Sequence, residues 1–88
     1  MRTRKEHRRL SDSNKIFTPD SVTTVFINYS YDLHILEVLF SGNKKVYHYH
    51  EVEPELWEEY KSIIERGGSS GEFINKRIKQ DYDVEEVD

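Results

Sequence analysis

The hydrophobic period of this chain changes once, at Pro54, and that change limits what it can fold into. Before Pro54, apolar side chains recur at every second position in three short runs. Val25, Ile27 and Tyr29 share one face of the first run, and Leu36, Val38 and Phe40 share one face of the second. The third is Val46-Tyr47-His48-Tyr49-His50. Period two is the signature of half-buried strands. The connections, Tyr31–His34 and Ser41–Lys44, are short, which implies antiparallel neighbours, and the Gly42–Asn43 pair tolerates positive φ. After Pro54 the spacing becomes helical. Proline suits the first turn of a helix, where its missing N–H costs nothing. Leu56, Trp57, Tyr60, Ile63 and Ile64 then form one apolar face. Gly67 fits the left-handed position that ends such a helix. Ser69 and Glu72 have capping-box spacing for a second helix, with Phe73, Ile74, Ile78 and Tyr82 as its buried stripe. The expected class is α+β: a three-stranded antiparallel β-meander followed by a two-helix hairpin packed on one sheet face, with the other face toward solvent.

With 88 residues the chain has room for one small domain and a thin core. Hydrophobic residues make up only 35% and charged residues 34%, so the 12% of aromatics must supply much of the buried area. There is no cysteine, hence no disulfide and no thiolate metal site. No apolar run approaches the roughly 20 residues that span a bilayer, and no apolar segment follows the basic N-terminus as in a secretory signal. A cytoplasmic protein with no membrane association is expected. Charge is loaded at the ends. Arg2, Arg4, Lys5, Arg8 and Arg9 stand against Glu6, whereas Asp81, Asp83, Glu85, Glu86 and Asp88 have no base among them. Residues 1–20 therefore read as a flexible basic arm and linker, 21–82 as the folded domain, and 83–88 as an acidic tail.

Alternation in the third run puts Tyr47 and Tyr49 on one side and His48 and His50 on the other. The tyrosines are larger and more apolar, so they are expected to face the helices. The histidines, with Phe26 and Asn28, would then lie on the open face. His48→Ala would on that reading leave melting almost unchanged, and Tyr49→Ala would destabilise by a few kcal/mol, as for any buried ring. Single-stranded RNA is held by rings on an open sheet with a basic border. The candidates for that role are Lys44, Lys45, Tyr47, His48, Tyr49, His50, Lys76, Arg77 and Lys79, with the basic arm beside them. Against it stands a net charge of −4, because nucleic-acid affinity depends on neutralising phosphates.

Other constellations carry weaker signals. His34, His48 and His50 could meet around a metal, but such histidines more often face solvent or bridge to a carboxylate, so no metal and no cofactor is expected. Glu51 and Glu53 near the histidines have no partnered nucleophile, so no enzyme is expected. Gly67-Gly68-Ser69-Ser70-Gly71 invites comparison with an anion-binding loop, yet it lacks the lysine of a phosphate-binding motif and reads more simply as a capped inter-helix turn. Glu85-Glu86-Val87-Asp88 matches an ending by which some chaperones engage helical-repeat partners, and a four-residue match in an acidic tail is most simply coincidence.

An ordered set of residues resembles the KTSC domain, a family named for the C-terminus of some lysyl-tRNA synthetases and also found alone in small bacterial and phage proteins. The set comprises Tyr29, Leu36-Glu37-Val38, Phe40, Gly42, Val46-Tyr47-His48-Tyr49, Val52, Pro54, Ser70-Gly71, Phe73-Ile74-Asn75, Ile78 and Tyr82. The resemblance covers about residues 21–82, and Val52-Glu53-Pro54 is one residue longer than the family's pattern. It implies the sheet-plus-helix fold. For function it implies a small non-catalytic binding domain, an RNA-binding accessory protein by its synthetase context. The alternative is a protein-interaction module of phage or mobile-element origin that binds a host or defence protein through a sheet face or edge. Either a monomer or a dimer is compatible with the sequence.

Overall fold

The computed structural model describes residues 9–87. Five strands, β1 (Ile16–Phe17), β2 (Thr24–Ser30), β3 (Ile35–Phe40), β4 (Val46–Tyr49) and β5 (Val84–Val87), form one antiparallel sheet in the order β1-β2-β3-β4-β5. Between β4 and β5 run α1 (Pro54–Glu65) and α2 (Ser70–Phe73), the latter passing directly into a π-helical turn over Ile74–Ile78. The α+β class and the central three strands are as the sequence implies, but the sheet has five strands rather than three.

The two added strands come from segments whose patterns conceal them. β1 lies in the stretch read as arm and linker, and at two residues it is too short to display a period. β5 lies in the stretch read as an acidic tail. Its Glu85 and Glu86 sit between valines, and the strand tolerates them because His50 and Lys45 accept the charge. A register irregularity between Thr24 and Phe26 has a similar masking effect. It buries Thr24 and leaves Val25 partly exposed, so Val25 does not share the core face with Ile27 and Tyr29.

The core fills the space between the sheet and the helix pair. Ile27, Tyr29, Leu36, Val38 and Tyr49 project from the strands, and Trp57, Tyr60, Ile74 and Ile78 meet them. An aromatic ladder crosses the interface. Tyr29 stacks on Trp57 at 5.3 Å between centroids and 10° between planes, Trp57 meets Tyr60 edge-on at 6.4 Å, and Tyr60 stacks on Phe73 at 4.4 Å. Such pairs add to the area each ring buries. The stripe Phe73, Ile74, Ile78 fits an α-helix poorly, and the backbone accommodates it by widening. Lys79 N–H donates to the Ile74 carbonyl, a five-residue step.

Termini and turns largely follow the sequence cues. Pro54 occupies the first turn of α1, and Gly67 takes φ +83° after its end. Ser69 accepts a hydrogen bond from the Glu72 N–H. The positive φ of the β3–β4 turn falls on Lys44 (57°) rather than on Gly42 or Asn43. Asn43 instead supports that turn through its side chain, whose Oδ1 accepts from Lys45 N–H.

The family's Ser70-Gly71 pair has a packing explanation. A buried chain of hydroxyls links Thr18 to Thr24 (2.8 Å), Thr24 to Ser70 (2.9 Å) and Ser70 to Tyr60 (2.6 Å). It joins the β1–β2 corner to both helices and leaves each hydroxyl satisfied. Gly71 permits that approach, since a Cβ there would lie 2.4 Å from Thr23 Oγ1 and 2.9 Å from Thr23 Cβ. The Gly67–Gly71 segment is thus a packed inter-helix turn. Gly71→Ala is expected to destabilise the domain by about 1–3 kcal/mol, as overpacking does. Urea denaturation checks this, and an unchanged midpoint would show that the corner yields freely.

Candidate functional site

The sheet face away from the helices is not open. Period two brings Phe26 and Asn28 of β2, Glu37 of β3 and His48 of β4 onto it, and all four are buried. Residues 9–14 lie across this face because its polar groups recruit them. Asn28 Nδ2 donates to the Ser11 carbonyl, and Asn14 Nδ2 donates to the Tyr29 carbonyl. Arg9 and Lys15 stand over the Phe26 ring at 5.3 and 4.3 Å.

Glu37 is the centre of this arrangement and is fully buried. Its Oε2 accepts from His48 Nε2 (2.8 Å), the Leu10 N–H (3.0 Å) and Arg9 Nε (3.1 Å), and its Oε1 accepts from Asn28 Nδ2 (3.1 Å). Burial by itself pushes the Glu37 carboxyl upward. The donors from His48, Leu10 and Asn28, with the nearby charge of Arg9, outweigh it and hold the group at about 2 against an ordinary 4.5. An ionised carboxylate only accepts, so His48 Nε2 must carry the hydrogen in this pair. His50 Nε2 pairs with Glu85 on the same side of the sheet. A hollow of about 950 Å³ lies between residues 9–14 and this part of the sheet, bordered by His48, His50, Glu85, Tyr31 and Leu33.

His48 is therefore not an exposed surface group, contrary to the sequence expectation. Glu37, placed on the outer side by alternation, is its cross-strand neighbour. What sequence reasoning lacked was the combination of the two. Glu37, Asn28 and His48 fall at matching positions of three adjacent strands, a signal that appears only once register is known. The three histidines do not make a metal centre, and among the described residues no group of three or more His, Cys, Asp or Glu is placed to hold a metal ion.

The tyrosines face the helix side as expected. Tyr49 is buried, and burial, with Tyr47 nearby, pushes its hydroxyl up to about 12. Tyr47 is half-buried, meets Phe40 edge-on at 5.5 Å, and accepts a hydrogen bond from Asn43 Nδ2 at 3.3 Å. These residues line a second hollow of about 520 Å³ with Val84 and Lys79, whose ammonium stands 5.3 Å over the Phe40 ring.

Most of the candidate cations are committed elsewhere. Lys45 pairs with Glu86 (3.0 Å) and Lys76 with Glu72 (3.0 Å). Arg77 makes a two-pronged contact with Glu59 (2.5 and 3.2 Å). Lys44 is exposed in the β3–β4 turn. Tyr47, Tyr49 and Lys79 meet at the second hollow, while His48 and His50 lie across the sheet and Lys76 and Arg77 turn toward acidic neighbours. Of the basic arm, Arg9 is bound to Glu37, and Arg2, Arg4, Lys5 and Arg8 lie outside the described residues. No helix among the described residues is long and apolar enough to cross a membrane.

A sheet closed on one side by an aromatic-cored helix pair, and on the other by a strap over a buried carboxylate, defines a small α+β domain. The KTSC domain profile matches residues 21–82, and the chain belongs to that family. β1 and β5 fall outside the matched span. The crystal structure of a KTSC domain protein from Yersinia pestis is similar with a TM-score of 0.68 at 24% sequence identity, covering 77% of this chain and 89% of that one. This likeness concerns the fold. No curated protein matches the chain.

Two outcomes follow from the Glu37 network. The folded-state value of Glu37 is depressed, so its stabilisation is complete above about 4.5 and is lost as pH falls through about 2. Glu37→Gln should cost about 3 kcal/mol at neutral pH and flatten the stability profile over that acidic window. His48→Ala should cost about 1–3 kcal/mol by leaving a buried acceptor short of a donor. Denaturant melts at stepped pH read both effects, and a Glu37→Gln profile parallel to that of the parent would show that the acid sensitivity arises elsewhere.

Proposed function

We propose that this KTSC-family chain is a non-catalytic binding module whose partner is a protein. The observation that carries the reading is the commitment of its basic groups. Phosphate binding draws its energy from cations that can neutralise phosphates. Here Lys45, Lys76 and Arg77 already face carboxylates, and Arg9 serves Glu37. A nucleic acid would have to compete with those acids on a chain of net charge −4. Apolar exposure also supports a protein partner. Phe17, Val22, Leu33 and Val84 are all exposed, at the β1 edge, the two ends of the sheet and the β5 edge. His48 and Glu37 satisfy one another as a structural pair, which favours binding over catalysis.

RNA recognition remains the second reading because of the hollow beside Tyr47. Phe40 and Tyr47 offer ring surfaces, Asn43 an amide, and Lys79 a cation, with Lys44 in the adjoining turn. A splayed base meets such groups in single-strand binders. Fluorescence polarisation of labelled tRNA and mixed cellular RNA with the full-length chain, at two salt concentrations, separates the readings. No sub-micromolar binding is expected at either salt. Tight, salt-steep binding that Lys79→Glu abolishes would replace the protein reading with the RNA one.

A further inference from the structure

The hollow of about 520 Å³ beside Tyr47 is rich in donors and poor in acids. None of the described Asp or Glu residues borders it, although the chain carries a net charge of −4. Glu86, the cross-strand neighbour of Tyr47, pairs with Lys45 instead. Lys79 stands 5.3 Å over the Phe40 ring and forms no ion pair with any described residue. Tyr49 is a second donor. It is 3% exposed, and its hydroxyl has no hydrogen-bond partner among the described residues. A buried hydroxyl left unpaired is uncommon and calls for an explanation. Among the described residues, Trp57 Nε1 is the one polar side-chain atom both sealed from solvent and unpartnered. The Tyr49 hydroxyl therefore keeps an outlet, and the hollow is the space that Tyr49 borders. Burial pushes this hydroxyl up to about 12, so it keeps its proton at neutral pH. The Tyr47 hydroxyl accepts from Asn43 Nδ2 at 3.3 Å and has its own hydrogen left to donate. The walls are apolar. Phe40 and Tyr47 meet edge-on at 5.5 Å, and Val22 and Val84 stand exposed at the rim. Small-molecule sites measure about 300–1,000 Å³ and set a few convergent polar groups among apolar and aromatic walls.

Beyond the protein-partner reading, we propose that this hollow binds a small planar aromatic acid. The ring of the ligand lies against Phe40 and Tyr47 and covers Val22 and Val84. Its carboxylate pairs with Lys79, and the Tyr49 hydroxyl donates to one of its oxygens. Charge selects the class, because an aromatic amine would stand against the Lys79 ammonium and a neutral ring would leave it unpaired. Flat walls of aromatic side chains favour a ring over an aliphatic chain. A single cation suits a single carboxylate, whereas a polynucleotide draws its affinity from several neutralised phosphates. The site does not depend on a protein partner, so its failure leaves that reading intact.

The probes are 2-naphthoate, 4-hydroxybenzoate and indole-3-acetate, each beside its carboxamide, with octanoate as a non-aromatic acid. They are titrated into the full-length chain by amide-resolved NMR. At least one aromatic acid should bind with a dissociation constant below about 1 mM and shift Phe40, Asn43, Tyr47, Tyr49 and Lys79 together. Its carboxamide should bind about tenfold or more weakly, and so should the acid in a Lys79→Met chain. Tyr49→Phe should weaken the acid while leaving melting unchanged, because the hydroxyl holds nothing within the fold; the reverse pattern would make the hydroxyl structural and sink its assigned role. Gly42 borders the hollow, and a Cβ added there would meet nothing within 4 Å. Gly42→Leu should therefore obstruct the ligand in a chain that still folds. Equal affinity for acid and carboxamide, or for octanoate, would overturn the aromatic-acid assignment. Silence toward every acid, or shifts confined to other surfaces, would overturn the site itself. A single-stranded oligonucleotide that shifts these residues where the acids do not would give the hollow to RNA.

Discussion

The stacking of Tyr29 on Trp57 holds the domain in one piece. Tyr29 stands on β2 and Trp57 on α1, so the pair fixes the helix hairpin against the sheet. Each ring is nearly fully buried. The Tyr29 hydroxyl donates to the Val52 carbonyl, and Val52 N–H donates to the His34 carbonyl. One side chain therefore sets both the helix packing and the path of the loop that enters α1. That loop needs unusual backbone at Glu51, with φ 60°, and the hydrogen bonds around Val52 hold it there. In a chain with so few aliphatic residues, the ladder through Trp57 and Tyr60 to Phe73 replaces the larger core a longer domain would have.

The opposite face is organised by charge. A buried carboxylate is tolerable only with its lone pairs satisfied, and Glu37 has four donors from four different residues. Two of them, Arg9 and Leu10, lie before β1, so the network draws the segment preceding the sheet across it. That is why a face expected to be open carries buried Phe26, Asn28 and His48. Closing this face moves the accessible features to the sheet's edges and ends. The cations are mostly matched by acids, and what the described residues leave exposed is apolar: Phe17, Val22, Leu33 and Val84. These are the elements that favour a protein partner over RNA.

The parts of the fold that were legible in the sequence are those with a sustained period or a defined cap. Leu36, Val38 and Tyr49 announce their face by alternation, α1 by Pro54 and its helical stripe, and the inter-helix turn by Gly67 and Ser69. The inward tyrosines followed from size and polarity alone. Illegible features depend on register or on distant partners. β1 is too brief to have a pattern. β5 carries acids at both central positions, and their acceptance depends on His50 and Lys45 across the strand pair. Glu37 and His48 read separately as outward polar residues, and only their adjacency in the folded sheet reveals the network. The spacing of Phe73, Ile74 and Ile78 was an irregularity whose meaning, a π-helical turn, is evident from the backbone bonds.

The account depends most on β5 being a formed strand that pairs with β4. Residue-resolved amide hydrogen exchange on the full-length chain tests this directly. The central amides of β3 and β4 should show the protection of global unfolding, and the β5 amides that bond to β4 should exchange slowly as well. Uniformly fast exchange across Val84–Val87 would mean that the strand does not persist in solution, and that result would contradict the account.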